Sequence, residues 1–221
     1  MYKKLPYFPS KQEVDKIFKI LRSRWDKNRS WKYNVWQKAR DKLILYCNFY
    51  MGMRILEISG VNISNIDFKT KTIKITTEFA KFGKERTLPL PPIIWLHFLA
   101  YIKKYNSKFP EGYLFYVSSG RRLSTRAIRA MFKKLLKKAG LYEYYQVPTD
   151  GNYKKFRTKL HFHSGRHYFA SMIYEKTQDP FAVSLWLGHK NPESSWVYVH
   201  ANMHVKKHIM NKVFKCMNLR T

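Results

Sequence analysis

Val14, Ile17, Phe18 and Leu21 stand three and four positions apart, which predicts a helix with a single apolar stripe. Ser10 precedes that run and Glu13 follows three positions on, the sequence form of a reciprocal helix cap. A polar stretch bearing tryptophans runs from Arg22 to Trp36. A second helix is expected over Lys38 to Met51, where Leu43, Ile44, Tyr46, Cys47 and Tyr50 recur at helical spacing, with Gly52 as its stop. The period then shortens to two. Ile66-Asp67-Phe68 reads as a short strand, and Thr72 to Thr77 alternates β-branched residues. Phe82-Gly83 makes a turn and Glu85 to Leu90 returns, so Thr72 to Leu90 is expected as a β-hairpin with Lys81 and Lys84 near its tip.

Helical spacing resumes from Ile93 to Lys104 and again from the Ser124-Thr125 cap to Ala139, with Gly140 as the stop. In the latter helix Ile128, Met131, Leu135 and Leu136 face one way. Arg126, Arg129, Lys133, Lys137 and Lys138 take the other faces. Tyr142 to Lys159 reads as a polar, basic loop broken by Pro148 and Gly151. Further helices are expected from Gly165 to Glu175, from Asp179 to Leu187, and from Met203 to Met217. No internal repeat, low-complexity tract or linker divides the chain. The expectation is one mainly α domain over residues 1–221 that carries a small antiparallel sheet, an α+β arrangement.

Charge changes this picture most. The 43 Lys+Arg against 14 Asp+Glu give a formal charge of +29, which must sit largely on the surface and repel itself. A polyanion offsets that repulsion, and double-stranded DNA is the expected partner. With 45% hydrophobic residues the chain has ample material for a core, which excludes compositional disorder. No run approaches the ~20 apolar residues of a membrane-spanning helix, and the first residues lack a signal-peptide apolar region. Cys47 and Cys216 lie far apart in apolar-patterned segments, which points to buried free thiols and a reducing cytoplasm.

The candidate chemistry is concentrated between His163 and Tyr198. His163-Ser164-Gly165-Arg166-His167 is followed by Leu187-Gly188-His189 and then by Tyr198, nine positions after His189. A phenol is a poor nucleophile at neutral pH unless a base or cationic surroundings help it ionise. Phosphoryl oxygens need fixed positive donors as charge builds in the transition state, and arginine forks suit them. Imidazoles and a guanidinium ahead of a tyrosine therefore suggest attack on a phosphodiester. His161, His163 and His167, with His200, His204 and His208 at i, i+4 and i+8, also raise a metal site. They lack cysteine or carboxylate partners nearby, and no metal or other cofactor is expected.

These pieces resemble the catalytic domain of the tyrosine recombinases, the integrase family that includes phage lambda integrase, Cre and the Xer proteins. The first box is Gly52-Met53-Arg54-Ile55-Leu56-Glu57. Lys81 lies ahead of Lys84-Glu85-Arg86-Thr87-Leu88-Pro89-Leu90, and His163 to His167 matches the second box. Leu187-Gly188-His189 and Tyr198 complete the set in the expected order. The resemblance implies that Tyr198 attacks the scissile phosphate to give a 3′-phosphotyrosyl link, and that Arg54 and Arg166 grip the non-bridging oxygens. It casts His163 as proton acceptor, His189 as a second phosphate donor, and Lys81, with Lys84 as competitor, as the acid for the leaving 5′-oxygen. His167 and Glu57 support the boxes, while Arg86, Arg126, Arg129, Lys133 and Lys137 are expected on the DNA.

Two departures stand out. Gly165 replaces a leucine common in the second box, which should loosen local packing. The family's N-terminal clamp domain has no room here, so the chain is expected to be a catalytic fragment or a minimal recombinase. The resemblance further implies a tetramer on two DNA segments and a monomer when free, with residues 203–217 docking on a neighbour. The enzyme would then work in the host cytoplasm or nucleoid. Type IB topoisomerase-like relaxation and a catalytically silent DNA-binding module are the alternatives from the same residues.

Overall fold

The apolar stripes within the described residues find neighbouring elements in the computed structural model, which describes residues 7–22, 31–80, 85–105, 112–147 and 155–188. Helix α1 (Lys11–Arg22) starts at the expected cap. The Glu13 N–H donates to Ser10 Oγ at 3.2 Å, and the Ser10 N–H donates to Glu13 Oε2 at 2.8 Å. Val14, Ile17, Phe18 and Leu21 are all buried.

Helix α2 (Trp31–Phe49) is the axle of the fold and touches α1, α3 (Ile55–Ser59), α4 (Pro92–Tyr105) and α6 (Phe162–Thr177). A helix covered on several sides needs apolar residues all round, and α2 buries Leu43, Ile44, Leu45, Cys47 and Phe49. Its start at Trp31 rather than Lys38 escapes periodicity because Lys32, Asn34 and Gln37 interrupt the apolar residues of its first two turns. Cys47 is a free thiol inside this core, and burial pushes its pKa up, which keeps it unreactive. Cys216 lies outside the described residues.

The hairpin forms as expected and gains a third strand. Strands β1 (Ile66–Asp67), β2 (Thr72–Ile75) and β3 (Arg86–Pro89) pair antiparallel in that order. Ile73 sits opposite Ile66 on one side and Leu88 on the other. Ile66, Ile73, Ile75 and Leu88 are buried while Lys74 and Thr87 are exposed, the alternation a half-buried sheet requires. Lys81 and Lys84 fall in the β2–β3 connection, outside the described residues.

Helix α5 (Thr125–Lys138) begins where Ser124 Oγ accepts the Ala127 N–H at 3.2 Å. It buries Ile128, Leu135 and Leu136 as expected, but Phe132 is buried where Met131 was the expected fourth member. The expectation of a loop over Tyr142 to Lys159 is corrected. Strands β4 (Tyr144–Val147) and β5 (Lys155–Thr158) pair antiparallel, Tyr144 opposite Thr158 and Val147 opposite Lys155. Charge and the breakers Pro148 and Gly151 mask β-forming residues whose pairing is with each other.

Helix α6 also begins earlier than expected, at Phe162 rather than Gly165. The His161 N–H donates to Ser164 Oγ at 3.2 Å, a cap that periodicity does not reveal. The shift matters because it places His163 and Arg166 one turn apart on the same helix. Gly165 does not loosen this region. A Cβ there would run into Asn48 Oδ1 and lie 2.9 Å from a ring carbon of Phe49, so glycine lets α6 approach α2 closely. Helix α7 (Pro180–Leu187) is capped by Asp179, whose Oδ1 accepts the Phe181 N–H at 2.7 Å, and packs on α6. The helix expected over 203–217 lies outside the described residues. No described helix is long and apolar enough to cross a membrane.

Candidate active site

The turn that leaves α2 sets the first half of the site. Gly52 has φ +65°, and a Cβ there would lie 2.6 Å from Phe169 and 2.7 Å from Leu187. Only glycine permits both the turn and the approach of α6 and α7. The chain then reaches Arg54, the residue before the first turn of α3. Glu57 reaches back from that turn: its Oε2 accepts the Arg54 N–H at 2.7 Å, and its Oε1 accepts Arg54 Nη1 at 2.8 Å.

Glu57 has no exposed side-chain surface. Arg86, from the first position of β3, forks onto it with Nη1 2.7 Å from Oε1 and Nη2 2.8 Å from Oε2. Burial by itself raises the carboxyl's pKa. The forked Arg86, then the Arg54 N–H and side chain, outweigh burial and hold it below the ordinary carboxylate range. Two guanidinium groups share one carboxylate, so the trio is positively charged as a whole. Glu57, the acid expected to support the first box, is hydrogen-bonded to both arginines. Arg86, expected on DNA, is engaged by this carboxylate, with its side chain 14% exposed.

Arg166 joins the two halves of the site. It is buried, with Nη1 donating to the Gly52 carbonyl and Nη2 to the Leu187 carbonyl at 2.7 Å. A guanidinium is planar with its N–H donors in a fixed fork, so these two carbonyls fix its plane. Arg166 therefore ties the turn before Arg54 to the end of α7, next to Gly188 and two residues before His189. The carboxylate of Glu57 is already shared by Arg54 and Arg86, and the two contacts of Arg166 at Gly52 and Leu187 are to neutral carbonyls.

His163 is exposed in the first turn of α6. Its ring meets His167 edge-on at 4.8 Å, and His167 in turn meets Phe8 edge-on at 5.8 Å. His167 thus stands between His163 and Phe8. Among the described residues no three histidines, cysteines or carboxylates are placed to hold a metal ion.

His163 opens onto a cleft of about 430 Å³ that is also lined by Ile55, Arg129, Lys133, Tyr142 and His161. The basic face of α5 therefore enters the same cleft as the histidine. Arg126, Arg129, Lys133 and Lys137 are all exposed, and their spacing of three and four puts them along one face. Lys133 and Lys137 stand over the Tyr142 ring at 5.2 and 5.4 Å. Tyr144 donates its hydroxyl proton to Tyr142 at 2.8 Å. That bond and the two lysines lower the Tyr142 pKa. Tyr142 was read as part of a loop. Its place four residues after the α5 basic run was the available signal. Tyr198, His189, Lys81 and Lys84 lie outside the described residues.

The sequence profile of the phage integrase family matches residues 10–204. The tyrosine recombinase XerC of Chlamydia muridarum is 31% identical over 173 residues, 77% of this chain and 49% of that protein. The chain thus spans about half the length of the curated relatives it matches. Among solved structures, the XerA recombinase superposes with a TM-score of 0.68 at 20% identity, covering all of this chain and 68% of that one. The XerH site-specific recombinase, in a post-cleavage complex with its palindromic difH substrate, gives 0.67 at 20% identity over 94% of this chain and 53% of that one. Both show the fold.

Proposed function

Because the chain belongs to the phage integrase family, we propose that it is a site-specific recombinase that cuts and rejoins double-stranded DNA through a 3′-phosphotyrosyl intermediate. The observation that carries this reading is the tie between the boxes. Arg166 binds the turn before Arg54 and the end of α7 together, and Glu57 holds Arg54 two residues beyond Gly52. Separate stretches of sequence are thereby gathered into one cationic site suited to a phosphodiester.

In this mechanism the Tyr198 oxygen attacks phosphorus and the bond to the deoxyribose 5′-oxygen breaks. His163 accepts the phenolic proton, and Lys81 gives a proton to the departing 5′-oxygen. Arg54 and Arg166, with His189, carry the charge that builds on the non-bridging oxygens. Attack by a 5′-hydroxyl from another strand reverses each step and releases Tyr198. The phosphodiester's energy is kept in the covalent link, so the cycle consumes no nucleotide and uses no metal. The enzyme works in the cytoplasm as a homotetramer on two DNA segments, with residues 203–217 docked on a neighbouring copy.

The test is a nicked suicide DNA substrate, with and without EDTA. The wild-type chain should form a protein–DNA adduct equally well in both, and Tyr198→Phe should form none. An adduct that persists in Tyr198→Phe, or one abolished by EDTA, would overturn the mechanism. Recombinant product distinguishes strand exchange from simple relaxation of supercoils.

The α5 face gives a second expectation. Lys133→Ala should weaken DNA binding across sequences and reduce the slope of log affinity against log salt by about 1. Fluorescence anisotropy at several salt concentrations measures this. An unchanged slope would remove Lys133 from the DNA-contacting face.

A further inference from the structure

We propose that Arg86 is a positioning residue of the strand-transfer site, acting through Glu57 on Arg54; the inference rests on the recombinase reading above. Three observations support it. The guanidinium takes both oxygens of Glu57 at 2.7 and 2.8 Å, which fixes the plane of the carboxylate. Arg54 is attached to that same carboxylate twice, by its backbone N–H and by Nη1. The orientation of Arg54 is therefore set by whatever holds Glu57, and Arg86 is the only other described side chain hydrogen-bonded to it.

The second observation concerns the far side of Arg86. A Cβ on Gly188 would lie 3.1 Å from Arg86 Cδ and 3.5 Å from its Nε, so the arginine stem lies directly against the end of α7. Gly188 precedes His189 and follows Leu187, whose carbonyl Arg166 holds. One side chain from the hairpin that carries Lys81 thus braces both the Arg54 turn and the approach to His189.

The third is geometric necessity. Arg86 Nε is buried with no hydrogen-bond partner, a cost that a residue serving only as a surface DNA contact has no reason to bear. Lysine cannot reproduce the arrangement, because an ammonium is a point donor without a planar fork.

The experiment is a double-mutant cycle on single-turnover cleavage of the suicide substrate at saturating DNA, with DNA affinity measured separately. Arg86→Lys should bind DNA within about twofold of wild type, yet cleave on the order of a hundredfold more slowly. On an Arg54→Ala background the same substitution should cost little more, since the residue it positions is gone. A purely structural residue would give the same loss on both backgrounds, and that result overturns the proposal. So does a loss of affinity with an unchanged cleavage rate, which would make Arg86 a plain DNA contact. Should Arg86→Lys fail to fold, Glu57→Gln, which keeps the volume and removes the charge, carries the same cycle with the same outcomes. Failure of the wild-type chain to form any adduct would instead count against the recombinase reading itself.

Discussion

Glu57→Ala destabilises this protein by about 3–5 kcal/mol, because it removes the only carboxylate from between two partly buried guanidinium groups. For a domain of this size that lowers the melting temperature by roughly 6–20 °C. The loss comes less from the missing attraction than from the two charges left facing each other without a counter-ion. Cleavage of DNA by the folded fraction should fall on the order of a hundredfold, since Arg54 loses both of its tethers. Thermal unfolding by circular dichroism measures the first effect, and a melting point within about 1 °C of wild type would refute it.

The same residue gives the acid limb of the stability curve. Glu57 ionises in the fold below its unfolded value of about 4.3. Its contribution is therefore complete above that pH and is lost as pH falls through the lower, folded value. Comparing melting temperatures of wild type and Glu57→Gln between neutral and acid pH isolates it. The gap between the two proteins should close as the pH falls.

Gly165→Leu is the second large effect, and its sign is opposite to what a helix-propensity argument gives. Replacing an interior helical glycine ordinarily stabilises by roughly 0.5–1 kcal/mol. Here the added Cβ meets Asn48 Oδ1 and Phe49, and a full leucine needs space that α2 already fills. The expected cost is about 3 kcal/mol or more, seen as a lower urea midpoint. Asn48 also donates Nδ2 to the Met53 carbonyl at 3.2 Å, so pushing it aside disturbs the residue before Arg54. Adding Asn48→Ala to a milder Gly165→Ala variant should recover part of the loss, because the two side chains compete for one space. A leucine variant as stable as wild type would show that α6 can withdraw from α2 without penalty.

The sequence made several features legible because their causes are local. Ser10 and Glu13 lie three residues apart, so their reciprocal cap is written within one turn. The alternation in Thr72–Ile75 and Arg86–Pro89 correctly gave a hairpin, since side-chain period and register are linked. The same alternation carried an unused signal: Arg86 shares the inward face with buried Leu88, so its guanidinium needed acceptors beneath the sheet. The β4–β5 pair was missed because each strand satisfies its backbone only with the other, across a charged, proline-bearing segment. The beginning of α6 was missed because its cap is made by His161 and Ser164, a pair that periodicity does not register.

By itself, then, the chain determined most of its described helices, its hairpin and the order of its chemical boxes, because spacing along a backbone dictates period. Only the tertiary structure decided that Arg86 serves Glu57, that Gly165 is a contact rather than a gap, and that Arg166 joins Gly52 to Leu187. Those outcomes depend on which distant surfaces meet, and a buried charge or a missing Cβ acquires its meaning from the atoms packed against it.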